Sequence, residues 1–384
     1  MQPPPSAGRD PRERAPILPR PRAGKHRLPR RPRIAAAALR LAAVLAIAAC
    51  AGAPPSRHEY EHGAMGTTFR IVLYAADPAR ADRAAAAAFA RIDALESVLS
   101  DWNAASELCR AAAAAAAAPG HPIALGDDLV RVLARSQAIA AATDGAFDPT
   151  LGRCTQLWRR ARRRGELPEA AALAEALATT GHRHVTIDAE QRTLTAGRAG
   201  IAFDLGAIAK GDALDQALAV LRDHGLPRAI VDGGGDVLAG APPPEGSGWI
   251  VGLAELSADA TEIAPIRHAV ALAHGALATS GDSWRALEID GVRYSHILDP
   301  RSGIGLTERR LVTAIAADGA TADALATALS VGGPDRAAAW LAHFPGAGAR
   351  IEWLTASGMT ACAFGVWPPM MSAPIESKES RRER

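Results

Sequence analysis

The chain has 384 residues, 48% hydrophobic and 22% charged, enough for one large domain or two modest ones with a true core. Its net charge of +2 hides an asymmetry: residues 1–33 carry ten Lys or Arg against two acids, and Arg40 follows. From Cys50 onward 32 basic side chains face 39 acidic ones, a net of −7, which argues against a nucleic-acid binder.

The N-terminus reads as an export signal. A long leader rich in Pro and Arg precedes nine apolar residues, 41–49, and then Cys50. Nine residues fall well short of the roughly 20 needed to span a bilayer, but they suit the apolar core of a signal peptide. Ile47-Ala48-Ala49-Cys50 resembles the bacterial lipobox, in which the cysteine is lipidated and becomes the new N-terminus. The bland alternative is a short apolar helix with a chance cysteine. Cys109, Cys154 and Cys362 are far apart, with neither disulfide framework nor metal-ligand spacing.

The expected organisation is a signal segment over 1–50, a tether over 51–61, a domain over 62–365 and a disordered tail over 366–384. Alternation from Met65 to Tyr74 predicts the first strand. An alanine-rich helix follows over 79–99, then a polyalanine run at 111–118, expected to face solvent, and a helix over 127–143. Residues 159–164 hold five arginines in six positions, most simply a solvated loop or helix face. A hairpin is expected over 184–187 and 192–196, an extended stretch at 201–203 and a helix over 206–224. Strands are expected at 229–231, 249–253, 268–273, 284–289 and 312–316, and a helix over 320–330. Strands and helices mix without strict alternation, which predicts an α+β fold.

Five stretches set small residues beside polar ones. TDGAFDPT (143–150) ends a helix on a glycine turn, a pattern that serves structure as readily as function. DLGAIAKG (204–211) places Asp204 before a helix whose first turn is small, where free amides favour anions, with Lys210 one turn in. Alone, an N-cap aspartate with a surface lysine explains it as well. In VDGGGD (231–236) three glycines follow a strand, as expected where a ligand or another backbone comes very close, and ligand approach is favoured over a plain tight turn, which needs only one or two. ATSGD (278–282) precedes SHILDPRSG (295–303), in which His296 suits a general base or equally a satisfied structural histidine, and Asp299-Pro300 suits a turn. In TADALAT (321–327), Asp323 and Thr327 share a helix face, an incomplete metal cage that phosphates and water could complete for Mg²⁺.

Taken in order, these motifs resemble the ApbE family of FAD:protein FMN transferases over roughly 59–334. The resemblance implies an ApbE-like, T-fold-related architecture of mixed or antiparallel sheets with packed helices. It implies that Met65, Trp102, Ala146, Phe147, Asp148, Asp204 and Lys210 contact FAD. Mg²⁺ would take the Asp323 and Thr327 side chains with backbone oxygen from Ala207 and Ala326, and Asp323 and His296 would serve catalysis. The chain departs from the family's usual pattern at Trp102, commonly Tyr, and at Cys109, where a polar Asn is usual. Lys210 is acidic in some members. The implied reaction transfers FMN to a Thr or Ser hydroxyl of an acceptor, a membrane redox subunit, releasing AMP. Two alternatives share the site: an FAD pyrophosphatase using water, and a non-catalytic exported flavin-binding lipoprotein. Lipidation at Cys50 would hold the protein on the periplasmic side of the cell membrane.

Overall fold

The computed structural model describes residues 54–257, 265–281, 286–356 and 358–373. Cys50, the apolar leader, Asp282 and the charged residues from 374 onward lie outside the described residues. The main sheet has eight strands: β1 (Ser56–Ala64), β2 (Thr67–Ala75), β3 (Ala229–Gly233), β4 (Asp236–Ala239), β5 (Gly275–Gly281), β6 (Arg310–Ala316), β7 (Gly348–Thr355) and β8 (Gly358–Gly365). They lie side by side in chain order, every neighbouring pair antiparallel. The chain leaves this sheet twice for helices. Between β2 and β3 come α1 (Pro78–Leu99), α2 (Glu107–Ala117), α3 (Asp127–Ala142), α4 (Gly152–Arg164), α5 (Ala170–Ala178) and α6 (Ala209–Asp223). Between β6 and β7 comes α7 (Gly319–Leu341). The α+β class with antiparallel sheets is as the sequence predicts.

Strand alternation sorts the core into two layers. Phe69, Ile71 and Leu73 of β2, Ala276 and Ala278 of β5, and Val312 and Ala314 of β6 pack against the helices. Val72, Val237, Leu277 and Ile315 point the other way, against Trp249, Val251, Val270 and Leu272. These last come from a small sheet of Trp249–Gly252, His268–Leu272 and Met371–Ser372. The main sheet is therefore covered on both faces.

Small residues let the helices lie close. In α1, Ala81, Ala84, Ala85, Ala88, Ile92, Leu95 and Leu99 make one buried stripe, and Asp77 caps its start by accepting from the Ala79 amide at 3.0 Å. The crossing of α6 and α7 is tighter. A Cβ on Gly211 would lie 2.1 Å from the Gly319 carbonyl oxygen, and one on Gly319 would lie 2.3 Å from that of Gly211. Asp215 of α6 accepts from the Gly319 and Ala320 amides at 2.7 and 3.1 Å, and Asp318 accepts from Thr321 at 2.8 Å. The start of α7 is thus pinned to α6.

Several expectations are corrected. The tether ends early, because Ser56–Ala64 is an edge strand paired with β2 from Ser56↔Ala75 to Ala64↔Thr67. The turn closing this hairpin is Met65-Gly66, both at positive φ (51° and 72°), as a two-residue hairpin turn of the primed kind requires. The polyalanine helix is half-buried rather than solvent-facing: Ala111 and Ala115 are in the core and Ser106 caps it. The arginine cluster is the second half of α4, and α5, unexpected from sequence, packs beside it. The stretch expected as a strand over 284–289 is described from 286, where Leu287–Ile289 pairs with Val292–Tyr294. The helix expected over 320–330 runs to Leu341, broken at Gly333 (φ 66°) before Pro334. Residues 366–373 are not a tail, since Trp367 packs on the second core layer and Met371 pairs with Ala269. Among the described residues no helix is long and apolar enough to cross a membrane.

Because the α6–α7 contact is backbone against backbone, Gly211→Ala cannot be absorbed by a rotamer change. Urea unfolding should show a loss of about 2 kcal/mol or more. A variant as stable as the parent would show that the crossing is not close-packed.

Candidate active site

One cavity of about 1220 Å³ opens where the β1–β2 turn, the start of α6, the β3–β4 turn, the end of β5 and α7 converge. Most of the sequence-predicted residues line it: Met65, Trp102, Ala146, Phe147, Asp148, Asp204, Ala207, Lys210, His296, Asp323 and Thr327. Ala326 does not. It is fully buried within α7, and its carbonyl accepts from Ser330 Oγ at 2.8 Å.

The floor of the cavity is ionic. Lys210 Nζ bonds Asp236 Oδ2 and lies 3.3 Å from Asp323 Oδ2, which also accepts from the Gly211 amide at 3.3 Å. Asp236 Oδ1 accepts from the Thr279 amide at 3.1 Å, tying the pair to β5. Ser280 Oγ and Thr327 Oγ1 are 3.2 Å apart. Both carboxylates are buried, whereas the lysine side chain is 29% exposed toward the cavity. Burial works against the Lys210 charge, but Asp323 and Asp236 outweigh it and hold the ammonium above the ordinary lysine value. Burial pushes Asp323 up to about 6 against the pull of Lys210, with Asp236 adding to the push. One ammonium thus faces two buried carboxylates, so the floor carries a carboxylate in surplus over its cation. Among the described residues no three His, Cys, Asp or Glu side chains cluster as a ready-made metal cage. The floor instead offers two convergent carboxylates, hydroxyls and a resident cation.

The walls are held by local chemistry. Asp148 Oδ1 accepts from the Thr150 amide and hydroxyl (2.8 and 2.6 Å), and Oδ2 from the His182 amide at 2.8 Å. Its carboxylate thus closes its own loop and ties that loop to His182. Asp204 Oδ1 caps the Gly206 amide at 2.8 Å, and α6 begins at Ala209, later than the sequence suggests. Packing, rather than ligand approach, accounts for two of the three glycines: a Cβ on Gly233 would meet the Phe69 ring at 2.6 Å, and one on Gly234 would meet Thr67 Oγ1 at 2.7 Å. Gly235, at φ 96°, has open space around it.

At the mouth, Trp102 is 77% exposed. Beside it Asp101 pairs with Arg159 at 2.7 Å, and Arg159 reaches Asp204 at 4.0 Å. Burial, then the charge of Asp204, raises the Asp101 carboxyl above its ordinary range against the pull of Arg159. His296 lines the cavity from an exposed position, while its neighbour Ser295 is buried and accepts from the Ile297 amide at 3.1 Å. Asp299 takes the Arg301 amide at 3.0 Å, the turn role expected of it. Sequence reasoning did not select Asp101, Asp236, Thr279, Ser280 or the arginines of α4 as site residues. Asp236 was within reach, as the last residue of the glycine stretch.

The fold thus presents one large cleft with Lys210 between two buried carboxylates at its floor and an exposed tryptophan at its mouth. A family model described as the ApbE family matches residues 65–351. The chain is 33% identical over 317 residues to the FAD:protein FMN transferase of Treponema pallidum (strain Nichols), covering 78% of this chain and 86% of that one. It is 30% identical over 278 residues to a Klebsiella pneumoniae (strain 342) protein of the same name, covering 71% and 78%. Among solved structures it matches the flavin transferase ApbE from Vibrio cholerae with TM-score 0.70 at 27% identity, over 82% of this chain and 98% of that one. The apo Pseudomonas stutzeri flavinyl transferase ApbE gives TM-score 0.69 at 27% identity, over 82% and 96%. This chain belongs to the ApbE family.

Lys210→Met would leave two buried carboxylates facing each other. Breaking a fully buried pair costs about 3–5 kcal/mol; the wet side of Lys210 lowers the expected loss to about 2 kcal/mol. Thermal unfolding at neutral pH should show it, with the loss shrinking as acid protonates Asp323. An unchanged melting point at neutral pH would mean that the lysine is not the counter-ion.

Proposed function

We propose that the protein transfers FMN from FAD to a Thr or Ser hydroxyl of another protein through a phosphoester bond, releasing AMP, with Mg²⁺ as cofactor. The observation that carries this is the ionic floor in the same cavity as Trp102 and Met65. Its volume exceeds the usual few hundred to about 1,000 Å³ of a small-ligand site, leaving room for a dinucleotide and a segment of a second substrate.

The donors fit Mg²⁺. All are hard oxygens, and an ammonium already rests where two carboxylates converge, so the floor takes positive charge. Asp323 and Thr327 would hold the ion, with backbone oxygen from Ala207. When bound, Mg²⁺ would neutralise charge on the pyrophosphate. In the transfer the hydroxyl oxygen bonds to the FMN phosphorus, the bond to the bridging oxygen breaks, and AMP leaves with that electron pair. His296, exposed in the cavity, takes the hydroxyl proton, help worth roughly 10²–10⁴ in rate. Lys210 neutralises phosphate charge, and the Gly234–Gly235 turn keeps side chains out of the phosphates' way. The rest is positioning, the main source of rate in phosphoryl-type transfer.

The same reading puts the protein on the periplasmic side of the cell membrane, held by lipid at Cys50. Cys50→Ala should move it from the membrane fraction to the soluble one; retention in the membrane would refute the anchor.

The deciding assay incubates the purified protein with FAD and Mg²⁺, with and without acceptor. AMP released only with acceptor, together with a covalently fluorescent acceptor, is the expected result. Equal AMP without acceptor would mean a pyrophosphatase, and FAD binding without AMP would mean a flavin carrier. Asp323→Ala should lower turnover by on the order of 10²–10³ and leave FAD bound, as the loss of several kcal/mol of charge stabilisation requires.

A further inference from the structure

The arginines of α4 were the one sequence feature that the reaction leaves unused. In the structure Trp158 and Ala161 turn inward, and Trp158 Nε1 donates to the Gly303 carbonyl at 2.7 Å, which fixes the rotation of the helix. That rotation brings Arg159, Arg162 and Arg163 to the cavity wall. They stand at i, i+3 and i+4, one face of the helix. Basic residues in a last turn also suit the helix dipole, which explains their charge but not why they gather at a cavity.

Depth separates the parts of the cavity. Asp236 and Asp323 are buried at the floor, whereas Arg162, Arg163 and Trp102 are exposed at the mouth. Arg159, half-exposed, is committed to Asp101. The chain after the leader is net negative, so a basic face at the mouth stands out against the field of the molecule.

We propose that the Arg162–Arg163 face is the docking surface for an acidic segment of the acceptor protein, guiding its hydroxyl into the cavity. This rests on the transferase reading, which supplies the acceptor. The complementary charge is carboxylate, and the occupant is a peptide segment with acidic residues flanking the reactive Thr or Ser. The competing occupant is FAD itself, through its phosphates.

The test is the Arg162→Glu/Arg163→Glu double variant, two exposed positions whose change spares the core; a thermal melt checks the fold. The probe is a fluorescent peptide with a central threonine flanked by aspartates, compared with its asparagine counterpart. In the parent protein, anisotropy should show the aspartate peptide binding on the order of tenfold more tightly than the asparagine one, with the preference fading between about 50 and 500 mM salt. In the variant that preference should vanish, and KM for the acceptor should rise on the order of tenfold. FAD affinity and kcat at saturating acceptor should stay within about twofold. Equal binding of the two peptides by the parent would overturn the docking surface. So would a fall in FAD affinity in the variant, which would assign the arginines to FAD. Absence of covalent flavin on any acceptor would overturn the transferase reading alone, because the peptide preference is read without turnover.

Discussion

Everything at the site depends on one buried contact: a lysine held between two aspartates at the crossing of two helices and a sheet. Lys210 comes from α6, Asp323 from α7 and Asp236 from β4, so the ion pair can form only if all three elements are in register. Gly211 and Gly319 make that register possible, since either Cβ would strike the opposite backbone carbonyl. The Gly211 amide itself donates to Asp323, so one residue provides both the close approach and a ligand to the carboxylate. Burying three charges is costly, and the arrangement holds because each carboxylate also accepts a backbone amide. The cavity floor and a packing joint are here the same object.

The antiparallel sheet serves this joint in a second way. Strands that neighbour each other in chain order put successive connections at alternate ends, so the β1–β2 and β3–β4 turns and the end of β5 arrive together at one edge. The turns are stiff. Met65 takes a positive φ that only a tight hairpin justifies, and Asp232 locks the glycine turn by accepting from the Gly235 amide at 3.1 Å. On the opposite wall, Asp148 and Thr150 stitch their loop to His182 and Gly181. The walls are rigid because their polar groups are already satisfied, which leaves the floor and the mouth to meet ligands.

Much of this was legible in the sequence, for reasons that differ by element. The strand at residues 67–75 and the helices at 78–99 and 127–142 declare themselves by periodicity, because one face of each is buried in a single core. The edge strand at 56–64 was hidden because its exposed, polar alternation of His, Glu and Arg looks like a solvated linker until a partner strand is present. The motif residues Asp323, Thr327 and Lys210 were singled out from two separate stretches, but the pairing of Lys210 with Asp236 joins residues 26 apart across the rest of α6, strand β3 and its turn, and no local pattern encodes it. The glycines of 233–235 misled for the opposite reason. The packing of Gly233 against Phe69 and of Gly234 against Thr67 is a tertiary fact that looks in sequence like a ligand cradle, whereas Gly235 does face open space. Likewise the arginines of α4 read as surface charge, because the bond from Trp158 to Gly303 that sets the helix rotation spans 145 residues.

The division of the cavity by depth bears on how such a site can change. The floor is coupled to the core through Gly211, Gly319 and the buried carboxylates, so most substitutions there cost stability as well as chemistry. The mouth is built on the solvent-facing ends of α4 and the loop carrying Trp102, where substitutions away from buried contacts are nearly neutral to folding. Charge at the mouth can therefore be redrawn without disturbing the floor. Arg159 is the exception, because it ties Asp101 at the mouth to Asp204 at the start of α6. A substitution at Arg159 would therefore be felt at the start of α6 as well as at the mouth.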